Sequence, residues 1–395
     1  MRKFDIERAR KETPGCHHVL HFNNAGAALM PEPVIQGLLD YTRLEAQMGG
    51  YEAAEYESKK LDNVYRSAAQ LLNCSSKEIA FVESATRGWD MAFYSIPFEK
   101  GDTILTGMSE YESNYLAFLQ ISRKRGVHIE VIQNDETGQI SLEALQNKIT
   151  RKVKLIAITH IPTNGGLINP AEQIGEIAKK NGILYLLDSC QAAGQISLDV
   201  QRLNCDFLSF TGRKYLRGPR GTGILYVRSS VCDSLEPPFL DLQAAEWTSV
   251  DQFSISPGAQ RFEQWETNPG AKIGLGIAMD YALSWGMTVI EERVQALASK
   301  LRTQLSDIKG LRLRDLGLKK CGIVTFDLIG IEPSKVKDAL AKQNINISVS
   351  MKRYTRLDME ARAIEAVCRA SVHYYNNEAE IDRLCNEVQS LSVTK

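Results

Sequence analysis

The chain has 395 residues, is 44% hydrophobic and carries a formal net charge of −1. Near-neutrality excludes an extended polyanion- or membrane-binding face, so neither a nucleic-acid nor a membrane partner is expected, and cationic clusters must act locally. No run of about 18 apolar residues and no signal-peptide core occurs, and the eight cysteines are scattered without a CxxC pair, which points to a cytoplasmic protein with reduced thiols.

From about residue 70 to 230, short apolar runs alternate with amphipathic stretches. Strands are predicted at 102–107, 128–133, 153–159, 183–189, 206–210 and 223–227. They are too continuously apolar for one wet face, as in a sheet covered on both sides. Helices are predicted between them at 141–149 and 171–182, the second ending on a glycine stop. This alternation argues for an α/β fold with a mostly parallel, doubly wound sheet. A long helix follows at 271–286, and then a smaller α+β pattern runs to the C-terminus. The expected organisation is an N-terminal arm and active-site lip over 1–30, a large domain over 31–270, and the long helix with a small C-terminal domain over 271–395.

Ligands of such sheets sit outside the carboxyl ends of the strands. Asp188 ends one predicted strand, and Lys214 follows the next, in "FTGRKYLRGPRGTGILYV" (210–227). A lysine in a partly desolvated pocket loses its proton more easily and can act as an amine nucleophile. The alternatives for these two residues alone are a surface cation and a helix-capping acid. The run "GPRGTG" matches neither phosphate-binding loop signature, GxxxxGK[ST] or GxGxxG. In "ESATRGW" (83–89), Ser84 or Thr86 can cap a helix whose first N–H groups face an anion.

Together with "FNNAGAALMP", "SEYESNYLAF", "ITHIPTNGGLINP", "LLDSCQAAGQ", "RFEQWETN" and "CRASVHYYN", these segments resemble the class V aminotransferase superfamily of pyridoxal 5′-phosphate (PLP) enzymes, fold type I. The resemblance spans nearly the whole chain. It implies a large domain with a mostly parallel seven-stranded sheet and a small α+β C-terminal domain. It also implies that Lys214 forms a Schiff base with PLP, Asp188 pairs with the ring nitrogen, and Gln191 meets the ring phenolate oxygen. Ala85, Thr86, Thr211 and Arg213 would hold the phosphate, and Tyr111 would stack on the ring where relatives carry histidine. Arg369 would bind the substrate carboxylate. Asn24 and Ala27 would lie at the active-site lip, with Thr163 or Asn164 touching the substrate. Glu266, with Thr267 beside it, stands where desulfurase-like relatives carry a threonine that reaches the partner's phosphate, and the resemblance implies a homodimer with shared active sites. Arg217 and Arg220 are read as solvated loop cations.

Family membership leaves the reaction open, because PLP weakens every bond at Cα and the protein selects one. Desulfurase-like relatives need a nucleophilic cysteine in the loop before "RAS", and residues 346–367 contain none; desulfuration is therefore not expected. The wording "RFEQWETN" and "TGRK" resembles the branch of isopenicillin N epimerases and hercynylcysteine sulfoxide lyases. The expected reaction is β-elimination of the C–S lyase type, with racemisation or epimerisation, transamination, and a non-catalytic PLP-binding module as alternatives.

Overall fold

The computed structural model describes residues 4–393; residues 1–3 of the expected N-terminal arm and residues 394–395 lie outside it. Seven strands form the central sheet: β1 (Ile79–Val82), β2 (Thr103–Gly107), β3 (His128–Ile132), β4 (Val153–Thr159), β5 (Leu184–Asp188), β6 (Phe207–Thr211) and β7 (Gly223–Val227). Their order is β1-β7-β6-β5-β4-β2-β3. Only β7 runs against its neighbours, because the short Lys214 segment returns the chain directly beside β6. The parallel strands β2, β4, β5 and β6 therefore open their carboxyl ends toward one crevice.

The fold class read from the sequence holds, and the six named runs all become strands. The seventh, β1, is a four-residue buried run too short to stand out by periodicity. The expectation of no wet strand face fails at β3, an edge strand whose His128 and Glu130 are exposed.

Helices α1 (Glu32–Met48), α2 (Ser58–Leu72), α3 (Ala85–Ser95), α4 (Glu112–Arg125) and α5 (Ala171–Asn181) surround this sheet. The long apolar helix α6 (Pro269–Trp285) packs against α1 and α2. It breaks at Gly286, whose φ of 87° ends the helical turn before α7 (Met287–Ser306) begins. Among the described residues no single helix is long and apolar enough to cross a membrane.

A second, antiparallel sheet follows: β8 (Leu311–Leu313), β9 (Ile323–Leu328), β10 (Ser348–Met351) and β11 (Ala366–Ser371), in the order β8-β9-β11-β10. Helices α8 (Pro333–Lys342) and α9 (Glu378–Val393) accompany it. In β11, Cys368 is buried near the Pro333 carbonyl, whereas its neighbour Arg369 reaches Thr163 on the central-sheet side, as the two-residue period of a strand requires.

Candidate active site

The crevice at the strand ends is a pocket lined by residues from separate sequence segments, including Ser84, Tyr111, Thr163, Asp188, Thr211 and Lys214. One wall is the first turn of α3. The Ser84 hydroxyl caps it by accepting from Arg87 N at 3.1 Å. The N–H groups of Ala85 and Thr86 have no carbonyl one turn back, so they and the helix dipole present positive character to the pocket. Thr86 is solvent-exposed and Ala85 is buried. The Thr211 side chain also lines this wall, while its hydroxyl donates to Thr222 O at 3.2 Å.

Asp188 sits at the last position of β5, buried, with both oxygens engaged. Its Oδ1 accepts from Cys190 N at 2.9 Å, and its Oδ2 accepts from Asn114 Nδ2 at 2.9 Å. Lys214 faces the same pocket. Burial is the main cause that lowers its amine below the usual lysine range; Arg213 adds to this, whereas Cys190 and Asp188 oppose it. The result is an amine that releases its proton more readily than a surface lysine. Cys190 lines the pocket too, but burial pushes its thiol up to about 12 despite nearby Lys214. Tyr111 occupies the N-cap of α4, and burial raises its phenol.

Arg369 is a buried guanidinium that no carboxylate neutralises among the described residues. Its Nη1 donates to Thr163 Oγ1, and its Nε has no partner. Glu365, the alternative partner, pairs with Lys352 at 2.7 Å. Gln191 donates to Ala25 O at 3.0 Å and to Thr163 Oγ1 at 3.4 Å, which leaves its buried Oε1 without a donor. Two buried polar atoms without partners beside one pocket imply a ligand with complementary groups.

Several expected site residues are placed elsewhere. Asn24 is fully buried, and its amide is spent on Ser371 O at 2.7 Å, on His21 O and on the Tyr375 hydroxyl; it ties the N-terminal segment to β11 and has nothing left for a substrate. Ala27 gives its carbonyl to His21 Nε2 at 2.8 Å and is not part of the pocket wall. Asn164 turns from the pocket to Met351 O and Met359 Sδ, so of the "TN" pair only Thr163 lines it. Arg213 lines the pocket, with its Nη1 donating to Gly26 O. Glu266 is exposed and Thr267 partly so, and neither reaches this chain's own pocket. Arg220 is exposed, but Arg217 is 1% exposed, so reading it as a solvated cation was wrong.

Sequence reasoning missed Glu110 and Asn114. Glu110 is buried and accepts from Asn114 Nδ2 at 2.7 Å, from Thr159 Oγ1 at 2.6 Å, from Tyr111 N at 3.1 Å and from Thr106 Oγ1 at 3.2 Å. Burial pushes its carboxyl up to about 7, with hydrogen bonds opposing and Asp188 reinforcing the rise. The available signal was an acid four residues before an asparagine, three residues after a strand end.

The sequence profile for "Aminotransferase class-V" matches residues 20–384. A probable cysteine desulfurase of Pyrococcus abyssi is 28% identical over 98% of this chain and 97% of its own length. One from Xylella fastidiosa is 30% identical over 96% of this chain and 94% of its own. The apo structure of a cysteine desulfurase from Thermococcus onnurineus superposes with a TM-score of 0.93 at 27% identity, covering 99% of both chains. These relatives overturn the exclusion of desulfuration and, with it, the expected C–S lyase, epimerase or aminotransferase activity and the placement in the epimerase–lyase branch. The error has a physical source. Desulfuration to alanine needs a nucleophile that takes the sulfur as the C–S bond breaks, and the absence of a cysteine from residues 346–367 says only that this nucleophile is not a side chain of that loop.

Proposed function

Because the chain belongs to the class-V aminotransferase family, whose cofactor is PLP, we propose that it is a PLP-dependent enzyme of the cysteine desulfurase type, passing the sulfur of cysteine to a thiol supplied in solution and leaving alanine, a second thiol then releasing sulfide and forming the disulfide. The observation that carries the chemistry is the meeting of Lys214 and Asp188 in one pocket, with the unneutralised Arg369 held against its wall residue Thr163; the substrate follows from what the relatives act on. When bound, PLP supplies an electron sink that weakens the bonds at the substrate Cα.

The residues present suit the group. The first turn of α3, with Ala85, Thr86 and Thr211, would hold the phosphate, with Arg213 adding positive charge. Asp188 would accept the ring N–H, and Gln191, whose Oε1 has no donor in the protein, would meet the ring oxygen. Tyr111 would cover the ring face. Lys214 would carry the cofactor aldehyde and then, as a free amine of lowered proton affinity, move protons at the substrate carbons. Arg369 would take the substrate carboxylate through its guanidinium fork, with Thr163 steering it.

The same reading includes a homodimer. Trp247, Phe253, Leu242 and Trp265 are at least half exposed, an apolar surface near Glu266 and Thr267 suited to a second copy. In that assembly Glu266 and Thr267 would serve the partner's pocket.

The test is to supply the PLP-loaded protein with L-cysteine and a reducing thiol, then quantify alanine and sulfide. Equal amounts of both are expected, and both are lost in Lys214→Ala. Pyruvate and ammonium in place of alanine would overturn the proposal.

A further inference from the structure

We propose that Glu110 is a positioning residue for the cofactor ring: acting through Asn114, it fixes the orientation of Asp188 and adds negative charge behind it. This inference rests on the reading above, in which Asp188 meets the ring nitrogen.

The geometry is a bridge. Asn114 has two amide hydrogens and uses them on two carboxyl groups, Glu110 Oε1 at 2.7 Å and Asp188 Oδ2 at 2.9 Å. The asparagine is buried at the pocket wall, and both of its amide hydrogens are spent on these two carboxyl groups. Its rotation is therefore set by Glu110, and it in turn holds Asp188 in one pose, with Cys190 N fixing the other oxygen. The lone pairs of Asp188 not used by these two donors remain for a partner in the pocket.

Every direct contact of Glu110 is a donor. Thr106 reaches it from β2, Thr159 from β4, and Tyr111 N and Asn114 from α4. Its charged neighbour is Asp188 on β5, beyond which Cys190, Lys214 and Arg213 lie on the pocket side. The residue 356–361 helix also packs here through Asp358 N on Met108 O, but its carboxylate turns to Arg362 at 3.2 Å. A buried carboxyl surrounded by four donors and no cation is costly unless its charge is used. Ionised, it places a second negative charge behind Asp188 and so strengthens the aspartate's hold on a ring N–H. Protonated, it removes that charge and offers an O–H to Thr106. A plug that merely closed the ends of β2 and β4 would need no carboxyl.

The test uses the PLP-loaded protein and reads the pH titration of its visible absorption band and the PLP dissociation constant. Glu110→Gln keeps the shape and most of the acceptors but loses the charge. Its band midpoint should move to lower pH by about one unit, and its PLP affinity should fall about tenfold, the equivalent of one pKa unit. In an Asn114→Ala background the same substitution should shift the midpoint less, because the bridge is gone. A Glu110→Gln protein with wild-type midpoint and affinity overturns the proposal, as does an equal shift in both backgrounds. If Glu110→Gln does not fold, Asn114→Ala alone decides: wild-type midpoint and affinity in that protein overturn the bridge. A wild-type protein that gains no visible band with PLP sinks the cofactor-site reading itself, a different failure from a normal band indifferent to Glu110.

Discussion

Gly223 lies directly beneath the first turn of α3: a Cβ at this position would stand 2.8 Å from the Ser84 carbonyl carbon and 2.9 Å from the Ala85 nitrogen. Both neighbours are backbone atoms that no side-chain rotation can move aside. The first residue of β7 thus sets the height of the helix end that faces the pocket. Gly223→Ala should lift that turn, costing about 1–3 kcal/mol as overpacking and weakening PLP binding more than it lowers the melting temperature. Thermal unfolding of the apo protein and PLP titration check the two parts separately. A destabilised protein with unaltered PLP affinity would show that this turn is not the phosphate site.

Arg369 makes the corresponding argument for the substrate. Its guanidinium is buried with Thr163 as its one side-chain partner among the described residues and with Nε unsatisfied, so part of its hydrogen-bonding capacity awaits an anion. Arg369→Lys retains the charge but loses the planar fork. It should raise KM for cysteine while leaving the absorption of bound PLP unchanged. Arg369→Ala should cost about 2–5 kcal/mol in kcat/KM, the range for a broken buried charge pair. Steady-state kinetics beside the spectrum test this; a loss of bound PLP in the lysine variant would instead make Arg369 part of the cofactor site.

Glu110 also leaves a signature in the apo protein. Its carboxyl is raised from about 4.5 to about 7, chiefly by burial. The folded state therefore binds more protons than the unfolded state between these values, and stability falls as pH rises through the window. Buried His160 acts in the opposite sense. Burial lowers it to about 4, so the stability it permits is present above pH 6.5 and is lost as pH falls. A bare stability profile mixes the two, and the difference between Glu110→Gln and wild type separates them. That difference should favour the variant increasingly from pH 4.5 to 7, by at most about 1.4 kcal/mol per unit of the window. Chemical denaturation across this pH range measures it, and a pH-independent difference would mean that Glu110 does not titrate there.

The sheet was legible in the sequence because buried parallel strands are continuous apolar runs, and "ILYLLD" or "VKLIAIT" needs no partner information to be recognised. Lys214 and Asp188 were legible as neighbours in one crevice because they follow such runs at the ligand-binding edge, whereas Gln191, which lines the same pocket, was named only through the family resemblance. Asn24 and Asn164 were misplaced because the direction of a short amide is decided by tertiary neighbours, here Ser371, Tyr375, Met351 and Met359, which lie far away in sequence. Glu110 was hidden in part for the same reason: Thr106 and Asn114 are local, but only the fold brings Thr159 to its carboxyl and Asp188 to the far side of Asn114. The reaction was misjudged by giving weight to a missing thiol over the similarity of the whole chain.

Arg217 shows how far a loop cation can depart from its sequence appearance. It adopts φ 62°, in the left-handed region, and its guanidinium enters a cage of aromatic rings, 4.6 Å from the Tyr375 centroid and 5.1 Å from that of Tyr374. It donates to Leu29 O and the Tyr374 hydroxyl, both at 2.8 Å, and to Thr13 Oγ1 at 2.5 Å. These bonds join the N-terminal segment, the segment after β11 and the Lys214 turn, to which Arg217 N is tied through Lys214 O at 2.9 Å. Desolvated cation–π contacts contribute on the order of 2 kcal/mol, and the acceptors left unpaired by truncation cost about 1–3 kcal/mol. Arg217→Leu should therefore lower stability by about 2–4 kcal/mol and loosen the turn that carries Lys214. Arg217→Lys keeps the charge and one bond, and should fall between. Denaturant unfolding gives the stability order, and the rate at which PLP is lost on dilution reports the turn. An Arg217→Leu protein as stable as wild type would mean that the aromatic cage holds without its cation.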